Sequence, residues 1–248
     1  MTDPIRLFHV SDLHFGAEDR SALNWFAGEV ADQRPDAVIC TGDLTLRGRA
    51  REFAAAARWF ASLEVPISVE AGNHDMPYYW DPLRRLFMPY RRFWAMHREV
   101  HSELALDHVS LLSLKTVARM QLRLNWSKGR VSPRELAKTL AGLNAAPDSA
   151  LRLVACHHPL VDAETRSTGS TRGGKRALAA LARAGVNAVL SGHVHDAFDM
   201  QFETEGGPIR LIGAGTLSER LRATRPSYNR IEWSIAKGLQ VSPQTMAV

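Results

Sequence analysis

The sequence predicts an α/β protein with two sheets packed face to face and helices outside them. Three observations carry that prediction. Short continuous apolar runs, such as AVICT at 37–41 and NAVLS at 187–191, alternate with segments of helical period, as expected of parallel strands buried on both faces. Asp12 and Asp43 are 31 residues apart and Asp43 and Asn73 are 30 apart, each interval being the length of one βαβ unit of about 30 residues. Polar clusters follow directly after the apolar runs, at the strand ends where α/β sheets build their sites. With 248 residues the chain suits one large α/β domain and is short for two, so residues 1–248 read as a single domain.

The elements follow in order. Residues 5–11 are a strand, and 21–33 are a helix with Leu23, Phe26, Val30 and Ala31 near helical spacing. Residues 37–41 are a buried strand, 49–63 a helix and 66–71 the third strand. Segment 76–103 breaks this rhythm. It is aromatic and basic, reads as two short helices, and suits core filling, a cap over the site or a dimer surface. Interleaved aromatics and arginines would also suit a single-stranded nucleic acid. Strands at 107–114 and 151–156 begin a second sheet. Between them Ser132, Pro133 and Glu135 form a helix start with proline at the first position. A helix at 173–184, a buried strand at 187–191, a hairpin from 199 turning at Gly206-Gly207, and a last strand at 230–235 complete the reading.

Composition is globular, with 45% hydrophobic and 23% charged residues. The two cysteines, Cys40 and Cys156, lie in apolar runs and read as buried free thiols rather than a disulfide framework, which fits a reducing cytoplasm. The N-terminal residues run straight into a strand and do not read as a signal peptide. No uncharged apolar run reaches the roughly 18 residues of a membrane span. The net charge of +5 fits either an anionic partner or an arginine-rich surface.

The polar clusters carry the chemistry. They contain Asp12 and His14, Asp43, Asn73 and His74, His157, and His193 with His195. Carboxylate, imidazole and amide donors without thiolate argue against a structural zinc finger and suit Mn²⁺ or Fe, with Zn²⁺ as a further fit. Even seven of these eight side chains are too many for one ion, so two are implied. Ions about 3.5–4 Å apart clamp a phosphoryl group and lower the pKa of a bridging water. His193-Val194-His195 and Asp12-Leu13-His14 each put two donors on one side of an extended segment. Gly42, Gly72 and Gly192 each precede a ligand, where a sharp bend or close backbone approach is needed.

In this order, DLH at 12–14, GD at 42–43, GNHD at 72–75, HHP at 157–159 and GHVH at 192–195 resemble the motifs of the calcineurin-like metallophosphoesterase superfamily. The resemblance implies a four-layer α/β/β/α sandwich and a dinuclear site. One ion would take Asp12, His14, Asp43 and His195, the other Asp43, Asn73, His157 and His193, with Asp43 bridging. His74 would face the phosphate oxygens, and Asp75 would orient its ring. His157 fits the ligand-x-Pro pattern, with His158 as its competitor. His9, His97, His101 and His108 match no motif.

The compact start, the GNHD spacing and the helical segment after it look most like bacterial class III cyclic-nucleotide phosphodiesterases and glycerophosphodiesterases. The expected function is metal-dependent hydrolysis of a small phosphodiester, such as a cyclic nucleotide, by a metal-bridging hydroxide. Nucleic acid is not an expected partner, and a homodimer would use segment 76–103. Two alternatives stay open: a nuclease or lipid-linked pyrophosphate hydrolase on the same site, and a non-catalytic scaffold. The polar loop at 167–175, with Arg166, Arg172 and Lys175, would contact a phosphate or ribose, or is a plain exposed loop.

Overall fold

The computed structural model describes residues 4–77, 81–104, 106–118, 127–146, 151–163, 165, 171–221 and 224–247. The βαβ reading of the first third holds. Strands β1 (Ile5–Val10), β2 (Ala37–Cys40) and β3 (Ile67–Val69) are joined through helices α1 (Arg20–Gln33) and α2 (Ala50–Ala61) and pair in parallel. Helices α3 (Pro82–Phe87) and α4 (Arg91–Val100) follow. The second sheet contains β4 (Val109–Ser113), β5 (Leu151–Ala155), β6 (Ala188–Ser191), β7 (Phe198–Thr204) and β8 (Gly207–Gly213), with α5 (Pro133–Ala145) and α6 (Gly174–Arg183) in its crossovers. The chain then returns to the first sheet with β9 (Ser227–Ser234) and β10 (Gly238–Thr245). The two sheets have strand orders β10-β9-β1-β2-β3 and β4-β5-β6-β8-β7.

Alternation along the strands explains the layers. Leu7, Ala37, Ile39, Leu153, Ala155, Ala188 and Leu190 meet in a core between the sheets. Their neighbours Phe8, Val38 and Cys40 point outward against α1 and α2, while Val154, Cys156 and Val189 point toward α5 and α6. The continuous apolar runs are therefore buried on both faces, giving a four-layer α/β/β/α sandwich. Both cysteines are buried and free. Ser132 caps α5 by accepting the Glu135 amide, the capping bond expected from the sequence. Among the described residues, no helix is long and apolar enough to cross a membrane.

One expectation changes. The strand at 230–235 is β9, beginning at Ser227, and it is not the last one, because β10 pairs beside it along its whole length. β10 has no fully buried position, so it shows no apolar period. It also contains Pro243, which is tolerated because β10 is an edge strand. Segment 76–103 divides in two. Phe93 and Met96 of α4 join the core around α1 and α2, whereas Leu83 and Phe87 of α3 are about 70% exposed, at 71% and 69%.

The inter-sheet core should dominate stability. Leu153→Ala removes a fully buried side chain and should cost about 2–5 kcal/mol. Leu83→Ala on exposed α3 should stay within about 0.5 kcal/mol. Urea unfolding of both variants checks the contrast.

Candidate metal centre

The sheet directions bring the clusters together. β1, β2 and β3 are parallel in one sheet, and β4, β5, β6 and β8 are parallel in the other. Asp12 and His14 follow β1, Asp43 follows β2, Asn73 and His74 follow β3, His157 follows β5, and His193 and His195 follow β6. All emerge at one edge of the sandwich. The sheets meet closely there. The His193 amide donates to Asp12 Oδ2 at 2.7 Å, and a Cβ on Gly192 would collide with Ser11 Oγ. Gly72 likewise has no room for a Cβ against Asp43, whereas Gly42 adopts a positive φ of 103°. Asp12, His14, Asp43, His193 and His195 themselves sit at φ between 45° and 70°, a region that non-glycine residues enter rarely and at a cost.

The donor atoms converge in two groups. In the first, His195 Nε2 lies 3.1 Å from Asp12 Oδ1 and 3.3 Å from His14 Nε2, and His14 Nε2 is 3.9 Å from Asp43 Oδ2. In the second, His157 Nε2 lies 3.4 Å from Asp43 Oδ2 and 3.2 Å from Asn73 Oδ1, with His193 within 4.8 Å of His157. Asp43 is thus common to both. The far ring nitrogens face backbone carbonyls: His157 Nδ1 faces Thr41 at 2.8 Å, His195 Nδ1 faces Arg220 at 2.7 Å, and His14 Nδ1 faces Thr45 at 3.4 Å. A carbonyl can only accept, so each Nδ1 carries a proton and each Nε2 is the nitrogen turned inward. Once His157 and His195 give up their Nε2 protons on metal binding, lone pairs face lone pairs across these distances. Asp12 Oδ1 is buried, and a proton on His195 Nε2, 3.1 Å away, is what it has for a donor. Such a set calls for cations between its members, and the residues fit two ions.

Charge tells the same story. Burial would lower the pKa of His157, but the Asp43 and Asp12 carboxylates push it up to about 9. Burial would raise Asp12 and Asp43, yet the surrounding imidazoles hold both carboxyls below the ordinary carboxylate range. Burial depresses His14 to about 3 and His193 to about 4.

The neighbours separate by their bonds. His158 lies beside His157 and His193, but its Nδ1 meets Thr116 Oγ1 at 2.9 Å and its Nε2 meets the Ser127 carbonyl at 2.7 Å. Burial keeps it neutral, so it has no lone pair left for a metal. His74 is half-buried, with Nδ1 2.7 Å from the Leu46 carbonyl. Asp75 bonds mainly to backbone amides. Its carboxylate accepts from the amides of Leu44, Thr45 and Gly72 and from Thr45 Oγ1, pinning the loop after β2, while the His74 ring is steadied by Leu46. His9 is a core group bonded to Thr41 Oγ1. In the loop at 167–175, Thr171 bonds Pro159 and the backbone of residue 172 pairs with Gly129 and Val131, while the Arg172 and Lys175 side chains are exposed. Residues 166–170, Arg166 among them, lie outside the described residues.

One residue of the site escaped the sequence reading. Arg220, on the loop after β8, places Nη1 3.1 Å from His74 Nε2 and 3.3 Å from His14 Nε2. The usable signal was the direction of β8. Read only as the return arm of a hairpin, it also runs parallel to β6, so its end meets the same edge.

The model of the calcineurin-like phosphoesterase family matches residues 5–197. The chain belongs to that family. Glycerophosphodiester phosphodiesterase GpdQ of Enterobacter lignolyticus is 34% identical over 80 residues, a match covering 28% of this chain and 29% of that protein. In fold the chain is similar to a dimetal phosphatase from Danio rerio, with 13% identity, a TM-score of 0.66, and 99% and 100% of the two chains covered. It is also similar to the purple acid phosphatase PPD1 of yellow lupin seeds, with 12% identity, a TM-score of 0.66, and 99% and 52% covered. Family and donor clusters together support a phosphoesterase hydrolase with a dinuclear metal site.

In this calcineurin-like phosphoesterase, metal binding should be linked to protons. Below about pH 9 the metal-free His157 carries a proton that a ligand must release. Mn²⁺ binding at pH 7 should therefore release at least one proton, and affinity should climb with pH before flattening above about pH 9. Calorimetry in buffers of differing ionisation enthalpy measures this. A release of zero would remove His157 from the ligand set.

Proposed function

We propose that the chain is a metal-dependent phosphodiesterase acting on small diesters, either cyclic nucleotides or glycerophosphodiesters. The observation carrying this reading is the convergence of two Nε2–carboxylate groups on a shared Asp43, with His74 on the open side. Asp12, His14, Asp43 and His195 would hold one ion, and Asp43, Asn73, His157 and His193 the other, with Mn²⁺ and Fe the best match to these donors. When bound, the pair would supply the attacking hydroxide and bear the charge developing on the phosphoryl oxygens.

The protein's own groups divide the remaining work. Asp12, His14, Asp43, His157 and His195 are buried, while Asn73, His74 and His193 are half-buried, so the diester approaches past these three. His74 presents Nε2 to that approach, because Leu46 occupies Nδ1. Nε2 accepts from Arg220 Nη1, and a proton taken up there when that bond opens would pass to the leaving alkoxide. Asp75 acts indirectly, holding the loop that carries Asp43 and Leu46. The likeness to a glycerophosphodiester phosphodiesterase favours diesters over monoesters. Segment 76–103 would be a cap or dimer surface through α3. Its exposed Leu83, Phe87 and Met88 favour a lipid-linked pyrophosphate as the second reading.

Mn²⁺-loaded protein should cleave bis-p-nitrophenyl phosphate and one class of cyclic nucleotide or glycerophosphodiester well above p-nitrophenyl phosphate. Chelator should abolish the activity. Cleavage restricted to monoesters, nucleic acid or lipid pyrophosphates would replace this reading. Asn73→Ala should drop one metal site and lose at least the roughly 10–100-fold that changes around metal ligands cause. Full metal content and full rate in that variant would exclude Asn73.

A further inference from the structure

The loop after β8 is built to deliver a cation. Thr216 Oγ1 donates to the Asp12 carbonyl at 2.6 Å and meets Ser218 Oγ at 2.8 Å, and both residues are buried. These bonds tie the loop beneath the β1 ligands. Two residues on, Arg220 serves the site twice. Its carbonyl faces His195 Nδ1 at 2.7 Å, and its guanidinium reaches back to His74 and His14 at 3.1 and 3.3 Å. Both contacted nitrogens are acceptors, since Leu46 and Thr45 carbonyls face the opposite ring nitrogens. Among the described residues, no carboxylate pairs with this guanidinium. Its partners are two imidazole lone pairs, and one of them, on His14, is claimed by a metal in the reading above.

We propose that Arg220 is a phosphate-contacting residue of the metal-loaded enzyme. The inference rests on the phosphodiesterase reading of the same site. Once His14 Nε2 is engaged elsewhere, the N–H freed from it points into the site beside His74, on the side where His74, Asn73, His193 and Arg220 are all half-buried. A guanidinium fork matches the spacing of phosphoryl oxygens and stays charged at any working pH. There it takes a non-bridging oxygen, whose charge grows in the transition state. The backbone carbonyl that steadies His195 is independent of the side chain, so substitution separates the two roles.

The test compares the parent with Arg220→Met and Arg220→Lys, all Mn²⁺-loaded. It measures metal content per chain, the Kd of inorganic phosphate by calorimetry, and kcat and KM on bis-p-nitrophenyl phosphate. Arg220→Met should keep two ions, weaken phosphate by about 10- to 100-fold, and lose kcat/KM to a similar degree. Arg220→Lys should recover part of both, as a point charge without the fork. A methionine variant with two ions and parental phosphate affinity would overturn the proposal alone. A variant that has lost its metal would also overturn it, making Arg220 a support for His14 and His195. A parent that holds two ions but neither binds phosphate nor cleaves diesters would overturn this inference together with the phosphodiesterase reading.

Discussion

The candidate site depends on how closely the two sheets approach at their ligand edge. Neither sheet holds a complete donor set: Asp12, His14, Asp43 and Asn73 come from one, and His157, His193 and His195 from the other. What joins them is the contact at Gly192, where a side chain of any size would strike Ser11 and Asp12, and the bond from the His193 amide to Asp12. That contact is set in turn by the alternation that puts Leu7, Ile39, Leu153 and Leu190 between the sheets. A slip of one residue in β1 or β6 would exchange the inward and outward faces and carry the donors apart.

The loop after β2 is the keystone of the second level. Its carbonyls at Thr41, Thr45 and Leu46 face ring nitrogens of His157, His14 and His74 respectively, so three histidines from three strands are aimed by one loop. Asp75 holds that loop from below through backbone amides, and burial together with the Asp43 charge pushes its carboxyl up to about 7. The aiming of the imidazoles and the placement of Asp43 are therefore a single structural problem with a shared solution.

Much of this was legible because sheet topology leaves a periodic trace. The spacing of Asp12, Asp43 and Asn73 follows from the length of a crossover, and the apolar runs at 37–41 and 187–191 read as strands buried on both faces. β10 left no such trace, since an edge strand with no fully buried position has no apolar period to read. In the site, residue types and spacing pointed to the donors, but bonding partners decide finer roles. The sequence alone left His157 and His158 in competition. Thr116 and Ser127, distant in sequence, occupy both nitrogens of His158. Arg220 was obscured because no local pattern separates it from the other arginines, and only the direction of β8 brings it to the site.

Five of the candidate donors hold left-handed backbone. Among side-chain-bearing residues, asparagine, aspartate and histidine enter that region most readily, and these are also residues that carry good oxygen and nitrogen donors. Backbone and chemistry therefore narrow the choice at these positions to the same few amino acids, and β-branched residues are shut out twice over. Glycine would adopt the same turns with less strain. By carrying Asp or His there, the chain forgoes some stability at five points around one small volume, in the manner of active sites that trade stability for function.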